Sequence, residues 1–298
     1  MKSFLLLLRP HQWVKNLFIF LPLFFVGRIF DTTLLWPALL ACCAFCLLSS
    51  GIYCLNDILD YKSDRLHPRK CQRPIASGAV SKAQGFCLMS LCWIAAALLV
   101  FGVDHLDQPI SEHRHPILPL LLVYWVLNVA YCLRLKHIAI LDVFIISFGF
   151  VLRILTGGFS TGVWLSHWII LMTLLLALFL AFAKRRDDVL IYEKTGVKAR
   201  ANVTRYNKPF LDHVITLLTG ITVVAYILYT VSPDVTERFH SQYVYVTALF
   251  VLMGMLRYLQ ITFVDERSGS PSKILLRDRF LQLCILGWIA TFALILYF

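Results

Sequence analysis

The chain has 298 residues, 59% of them hydrophobic, and a mean hydropathy of +0.74; soluble domains run about 45–50% apolar, and a water-soluble fold of this composition would expose large adhesive patches. Lys and Arg number 28 against 17 Asp and Glu, a net charge of +11; with no RNP, zinc-finger or recognition-helix pattern, this excess points to anionic lipid, cytoplasmic loops and phosphate substrates and away from nucleic acid. Nine cysteines, an odd number lying mostly in apolar runs, exclude a disulfide framework.

The amino end carries a short apolar run, Phe4 to Leu8, but Arg9, Pro10 and His11 follow where a cleaved signal needs small residues. Apolar stretches of bilayer-spanning length then predict nine transmembrane helices, at about 13–30, 34–55, 83–103, 116–134, 138–156, 164–183, 211–231, 241–263 and 280–297. Pro22 interrupts the first. Cys43 and Cys46 form a CxxC inside the second, read as small-residue helix packing. His105, His113 and His115 fall in a bland loop after the third, read as solvated. The alternate loops hold 23 of the Lys and Arg residues, while the opposite side holds Arg28, Arg114 and Arg238. That split predicts the amino end and both long polar loops, 56–82 and 184–210, in the cytoplasm and the carboxyl end outside. No soluble domain fits between the spans, so the expectation is a single domain over 1–298, all-α and integral to the membrane. HExxH, GxSxG, Walker and GxGxxG patterns are missing, which removes zinc-hydrolase, serine-hydrolase and nucleotide-fold readings.

The second span runs into Asn56-Asp57-Ile58-Leu59-Asp60-Tyr61-Lys62-Ser63-Asp64-Arg65-Leu66-His67-Pro68. If the helix continues until Pro68, then at about 100° per residue Asn56, Asp57, Asp60 and Asp64 share an arc of roughly 100°. Three carboxylates and an amide on one stripe would repel one another unless something cationic sits among them. Oxygen donors of this kind suit Mg²⁺, which takes one or two carboxylates together with substrate phosphates and water. A solvated helix end paired with Lys62, Arg65 and Lys70 by i,i+4 contacts is the alternative.

This motif resembles the first acidic motif of the UbiA-type intramembrane prenyltransferases. The resemblance implies nine helices around a cavity open to the cytoplasm and laterally to lipid, with Asn56, Asp57, Asp60 and Asp64 holding Mg²⁺ on a diphosphate. Arg9-Pro10-x-Gln12-Trp13-x-Lys15-Asn16 and Asp64-Arg65-x-His67-Pro68-x-Lys70-x-x-Arg73-Pro74-Ile75-Ala76-Ser77-Gly78 resemble its decaprenyl-phosphate phosphoribosyltransferase branch. So do Tyr131-x-x-x-Leu135-Lys136, Leu141-Asp142 and the run Gly149 to Arg153. That branch moves 5-phosphoribose from phosphoribosyl diphosphate to a polyprenyl phosphate.

The sixth span ends in Lys184-Arg185-Arg186-Asp187-Asp188, with Tyr192 beyond. On a helix Lys184, Arg185, Asp188 and Tyr192 share an arc of roughly 100°. A positive-inside anchor is the plain reading. Aromatic prenyltransferases of the family carry an aspartate-rich second motif here; the cations suit an additional anionic group better. Asp142, near Lys136, is either a structural pair or a site residue. Arg153 is read as snorkelling. Tyr124, Asn128 and Tyr131 either line a cavity or pack.

The leading expectation is therefore Mg²⁺-dependent glycosyl transfer at C1 of ribose on the cytoplasmic face of the inner (plasma) membrane. Asp57, Asp60, Lys15 and Lys184 would be catalytic. Asn16, Asn56, Arg65, Lys70, Arg73, Tyr131, Lys136, Asp142, Arg185 and Asp188 would bind phosphoribosyl diphosphate and the polyprenyl phosphate. Prenyl transfer from a prenyl diphosphate to 4-hydroxybenzoate or a similar acceptor is the second hypothesis. Transport is the third, opposed by the position of the acidic stripe at a membrane edge and by the lack of paired broken helices. Self-association into a homo-oligomer stays open.

Overall fold

The computed structural model describes residues 2–66, 70–105, 115–196, 200, 202–266, 269 and 271–297. His67, Pro68, Arg69, His113, Arg114, Lys198 and Arg267 of the sequence reading lie outside them. Among the described residues the chain is helical, with no strand. In order come α1 (Lys2–Leu8), a 3-10 helix (Pro10–Phe20), α2 (Leu21–Phe25), α3 (Thr32–Arg65), α4 (Lys82–Asp104) and α5 (Leu118–Leu133). Then follow α6 (Leu141–Thr161), α7 (His167–Thr195), α8 (Lys208–Val231), α9 (Pro233–Phe239), α10 (Thr247–Phe263), α11 (Pro271–Arg277) and α12 (Arg279–Tyr297).

Six of these helical segments are long and apolar enough to cross a membrane: α3, α4, α6, α7, α8 and Gln242–Phe263, which contains α10. The α5 helix and Arg279–Ile295 are apolar but shorter. The chain is a multi-pass membrane protein. Its outward faces agree: Leu91, Ile94, Leu98 and Phe101 on α4 are exposed, as are Leu217, Val224, Leu228 and Val231 on α8, each set a helical stripe that lipid covers. The expected first span is not one helix. Pro10 and Pro22 each lack an N–H donor, and the chain there is the 3-10 helix followed by the short α2.

Local chemistry starts the long helices. Asp31 caps α3 by accepting from Thr33 N, a Ser81/Gln84 capping box opens α4 and Asn207 caps α8. At about 1.5 Å per residue, the 34 residues of α3 and the 29 of α7 exceed the roughly 30 Å hydrocarbon layer. These two longest helices carry the acidic and basic constellations at their carboxyl ends, on the overhang.

The chain divides into two compact units. The first comprises Met1–Lys136 and Phe148–Ser166. Its core gathers Phe45, Leu48, Ile52, Ala96, Val100, Tyr124 and Leu152, with the Trp93 ring lying where a side chain at Gly51 would be. The second comprises His137–Ser147 and His167–Phe298, with a core of Phe179, Phe182, Leu211, Ile215, Tyr258 and Ile261. Helix α6 thus gives residues 141–147 to one unit and 148–161 to the other.

Candidate functional site

In the first unit, α3 runs unbroken to Arg65, so Asn56, Asp57, Asp60 and Asp64 fall on one face as the spacing predicts. Asp57 and Asp64 are buried; Asn56 and Asp60 are half-buried. Their partners are not the i,i+4 cations. Asp57 Oδ1 accepts from Arg9 Nη2 at 2.5 Å and from Arg73 Nη1 at 3.1 Å. Arg73 Nη1 also reaches Asp64 Oδ2 at 2.7 Å. Lys136 Nζ donates to Asp60 Oδ1 at 2.6 Å. Asp57 Oδ2 is buried with no hydrogen-bond partner. Arg65 turns away, donating Nε to the Ala76 carbonyl. Lys15, Lys70 and Tyr131 are half-buried, Tyr131 against the core.

Arg9 reaches Asp57 from a left-handed turn, φ 52°, between α1 and the 3-10 helix, and its guanidinium lies 5.0 Å from the Tyr53 ring centroid. The 3-10 helix is tied down along its length. Trp13 Nε1 donates to Ser50 Oγ. Asn16, 1% exposed, donates Nδ2 to Cys46 Sγ and accepts from Arg153 Nε at 2.8 Å. Asn16 therefore holds the segment in place with both ends of its amide. Arg153 does not snorkel: it is buried, with Nη1 on the Gly149 carbonyl and Nη2 on Tyr124 Oη. The rings of Phe45, Tyr124 and Phe150 surround it at 4.8, 5.2 and 5.3 Å. All nine cysteines are free thiols.

Among the described residues no three His, Cys, Asp or Glu side chains come together as a metal cluster. Mg²⁺ does not require three, because it accepts one or two carboxylates and fills its sphere with phosphate oxygens and water. Asp57, with one oxygen buried and unpaired beside Asp64, is an all-oxygen donor set of that kind.

In the second unit the end of α7 is cationic. Arg185 is 2% exposed and donates Nε to Asp142 Oδ2 at 2.8 Å. Asp142 thus pairs with Arg185, while Lys136 takes Asp60; of the two readings left open for Asp142, the pair with Lys136 is not formed. Asp142 Oδ1 accepts from Tyr206 Oη at 2.8 Å, and Tyr206 Oη accepts from Ile140 N at 2.6 Å. Ile140 has φ 70°, a costly backbone for a β-branched residue, held by that bond. Burial pushes the Tyr206 phenol well above its ordinary pKa, with the Asp142 bond adding to the shift. Arg200 Nε donates to Asp188 Oδ2 at 2.7 Å, and Arg185 Nη1 lies 3.6 Å from the same oxygen. Arg185 Nη2 is buried and unpartnered. Lys184, half-buried in the field of Arg200, Asp188 and Arg185, has neither ion pair nor hydrogen bond among the described residues. Arg186 is a structural tie, bonded to Asp212 Oδ1 and the Thr262 carbonyl.

Sequence reasoning assigned no role to Arg9, Arg200, Asn202 or Tyr206. Arg9 stood in the amino-terminal motif; the other three had no local signal.

The sequence model of the UbiA prenyltransferase family matches residues 17–295. The decaprenyl-phosphate phosphoribosyltransferase of Mycolicibacterium smegmatis is 32% identical, over 97% of this chain and 91% of that protein. The enzyme of the same name from Corynebacterium glutamicum is 29% identical, over 97% and 85%. Among solved structures, a UbiA homolog from Archaeoglobus fulgidus bound to DMAPP and Mg²⁺ superposes with a TM-score of 0.69 at 18% identity, covering 99% of each chain. The apo UbiA homolog from Aeropyrum pernix K1 gives 0.65 at 14%, over 96% of this chain and 97% of that one. At such identities these two show the fold.

Proposed function

The chain belongs to the UbiA prenyltransferase family and is a transferase, and on that premise we propose that it moves 5-phosphoribose from phosphoribosyl diphosphate to a polyprenyl phosphate of the decaprenyl type. The observation that carries this reading is the end of α7, where Lys184 and one end of Arg185 have no hydrogen-bond partner among the described residues. Spare cations there suit a second phosphate-bearing group, which a phenolic acceptor lacks. The names of the relatives support the same pair of substrates.

In this reading an oxygen of the lipid phosphate attacks C1 of the ribose. The C1–O bond to diphosphate breaks, and the diphosphate leaves with the bonding pair. The nucleophile is already an anion, so the step needs no base. Asn56, Asp57, Asp60 and Asp64 would hold Mg²⁺, which supplies charge neutralisation to the leaving diphosphate. Arg73 and Lys136, now on carboxylates, are donors for phosphate oxygens, together with Lys15, Lys70 and Arg65; Tyr131 would contact substrate. Asn16 serves by fixing the turn that carries Lys15. Lys184 and Arg185 bind phosphate, with Asp142 and Asp188 orienting Arg185. Catalysis is then mostly positioning and charge stabilisation. We place the whole of 1–298 in one functional domain of nine spans, its active face in the cytoplasm of an inner (plasma) membrane, on the strength of the charge split between loops.

The test mixes purified protein, Mg²⁺, labelled phosphoribosyl diphosphate and a polyprenyl phosphate. Label passes into the lipid phase if the reading holds. No lipid product, together with prenylation of 4-hydroxybenzoate from a prenyl diphosphate, replaces it with the aromatic reaction.

A further inference from the structure

The short segment that follows α7 in the second unit holds a side chain with nothing to bind. Asn202 is 2% exposed, and both its Nδ2 and its Oδ1 are buried without a hydrogen-bond partner among the described residues. It occupies the cap position of the 3-10 turn Val203–Arg205, where an Asn side chain ordinarily accepts a backbone N–H, and makes no such bond. A buried amide left this way costs more than its hydrogen bonds would add. The segment is anchored on both sides of Asn202 to the surroundings of one residue. Arg200 binds Asp188, whose same oxygen lies 3.6 Å from Arg185 Nη1. Tyr206 binds Asp142, which holds Arg185 Nε. Arg185 Nη2 is likewise a buried donor without a hydrogen-bond partner among the described residues.

We infer that Asn202 is a substrate-contacting residue that reads a sugar hydroxyl next to a phosphate held by Lys184 and Arg185. The chemistry of the amide selects the ligand. Nδ2 needs an acceptor and Oδ1 needs a donor. A phosphate dianion accepts but donates nothing, so a lipid phosphate leaves Oδ1 unsatisfied. A phosphorylated sugar satisfies both atoms, its hydroxyl donating to Oδ1 and a phosphate or hydroxyl oxygen accepting from Nδ2. The inference rests on the reading of Lys184 and Arg185 as phosphate ligands, and it gives that phosphate to the sugar donor.

Calorimetric titration of the full-length protein in detergent tests this with five probes: ribose 5-phosphate, its 2-deoxy and 3-deoxy forms, inorganic phosphate and a short polyprenyl phosphate. The wild type loses roughly fivefold to tenfold in affinity for one deoxy sugar, the size of one hydrogen bond. Asn202→Ala weakens ribose 5-phosphate by a similar factor, no longer distinguishes that deoxy sugar, and binds inorganic phosphate and polyprenyl phosphate as before. The inference is overturned by a wild type indifferent to both deoxy sugars, a result that does not depend on any variant folding. It is also overturned if Asn202→Ala weakens all phosphates equally, weakens polyprenyl phosphate alone, or changes nothing. Lys184→Ala separates the two levels. If it binds every phosphate like wild type, the underlying cation reading fails; if it loses them while Asn202→Ala does not lose the sugar, only the role of Asn202 fails.

Discussion

The carboxyl ends of α3 and α7 invite comparison, because both are overhanging helix ends that mix carboxylates with cations. At the end of α3 each aspartate is matched: Asp57 by Arg9 and Arg73, Asp64 by Arg73, Asp60 by Lys136. What is left over is a carboxylate oxygen, Asp57 Oδ2. Around the end of α7, Asp188 is taken by Arg200, and Asp142, from the first turn of α6, by Arg185; Asp187 is not free either, and what is left over among the described residues is cationic, Arg185 Nη2 and Lys184. The same residue types in different proportion therefore leave opposite vacancies. One end suits a cation arriving with its phosphate, the other an anion alone.

The largest effect tests the acidic side. Asp60→Asn is expected to lower the transfer rate by about 10²–10³-fold, the usual loss when an electrostatic contact to a leaving group is removed, with thermal stability near wild type because among the described residues Asp60 pairs with the half-buried Lys136 alone. Asp57→Asn should lose as much activity and also melt earlier, since Arg9 and Arg73 both lean on its buried carboxylate. Rates and melting curves of the two variants check this. Full activity in either, or activity unchanged by EDTA, breaks the comparison. On the basic side, Lys184→Ala is expected to raise the KM for a phosphate-bearing substrate roughly 10- to 100-fold, the range of a charge-assisted contact, with a smaller change in kcat. Equal loss in kcat and kcat/KM would instead assign it to the transition state.

The smallest effect concerns exposed pairs beyond the two constellations, one of them from the last turn of α7. Glu266 accepts from Lys194 at 3.0 Å and from Lys208 at 3.3 Å, and these bonds hold its carboxyl below the ordinary glutamate range. A depressed folded-state pKa adds stability above the unfolded value and loses it as pH falls through the folded one. A small difference in Tm between wild type and Glu266→Gln is therefore expected at neutral pH, vanishing as the solution becomes more acidic than ordinary glutamate titration. A difference that grows on acidification contradicts the assignment.

Both constellations were legible in the sequence because they are written in helical period: residues 56 to 64 and 184 to 192 state their own geometry once α3 and α7 are known to continue. The partners were not legible. Arg9 and Asp57 are 48 residues apart, Tyr206 and Asp142 are 64, and Arg153 and Asn16 are 137; no periodicity encodes such pairings. Arg153 misled for a related reason. A lone arginine toward a helix end reads as a snorkelling one until a folded neighbour offers it oxygen acceptors. The segment 13–30 misled differently: its apolar length satisfied a helix, but the missing N–H groups of Pro10 and Pro22 fit a 3-10 helix and a short α2.

The guanidinium of Arg153 also has a history written into its numbering. Placing an arginine at the centre of an inserting helix costs about 2.5–3.5 kcal/mol on the scale that the insertion machinery reads, and α6 carries one with no carboxylate to meet it. Yet Asn16, Phe45, Tyr124, Gly149 and Phe150, its partners among the described residues, precede it in the chain. Synthesis proceeds from the amino end, so the ribosome has already delivered the whole cage when Arg153 emerges. A circular permutation that moved the segment before α3 to the carboxyl end would reverse that order for Asn16 alone, so that Arg153 would enter with Tyr124, Gly149 and the surrounding rings already made but without the amide oxygen that accepts from its Nε.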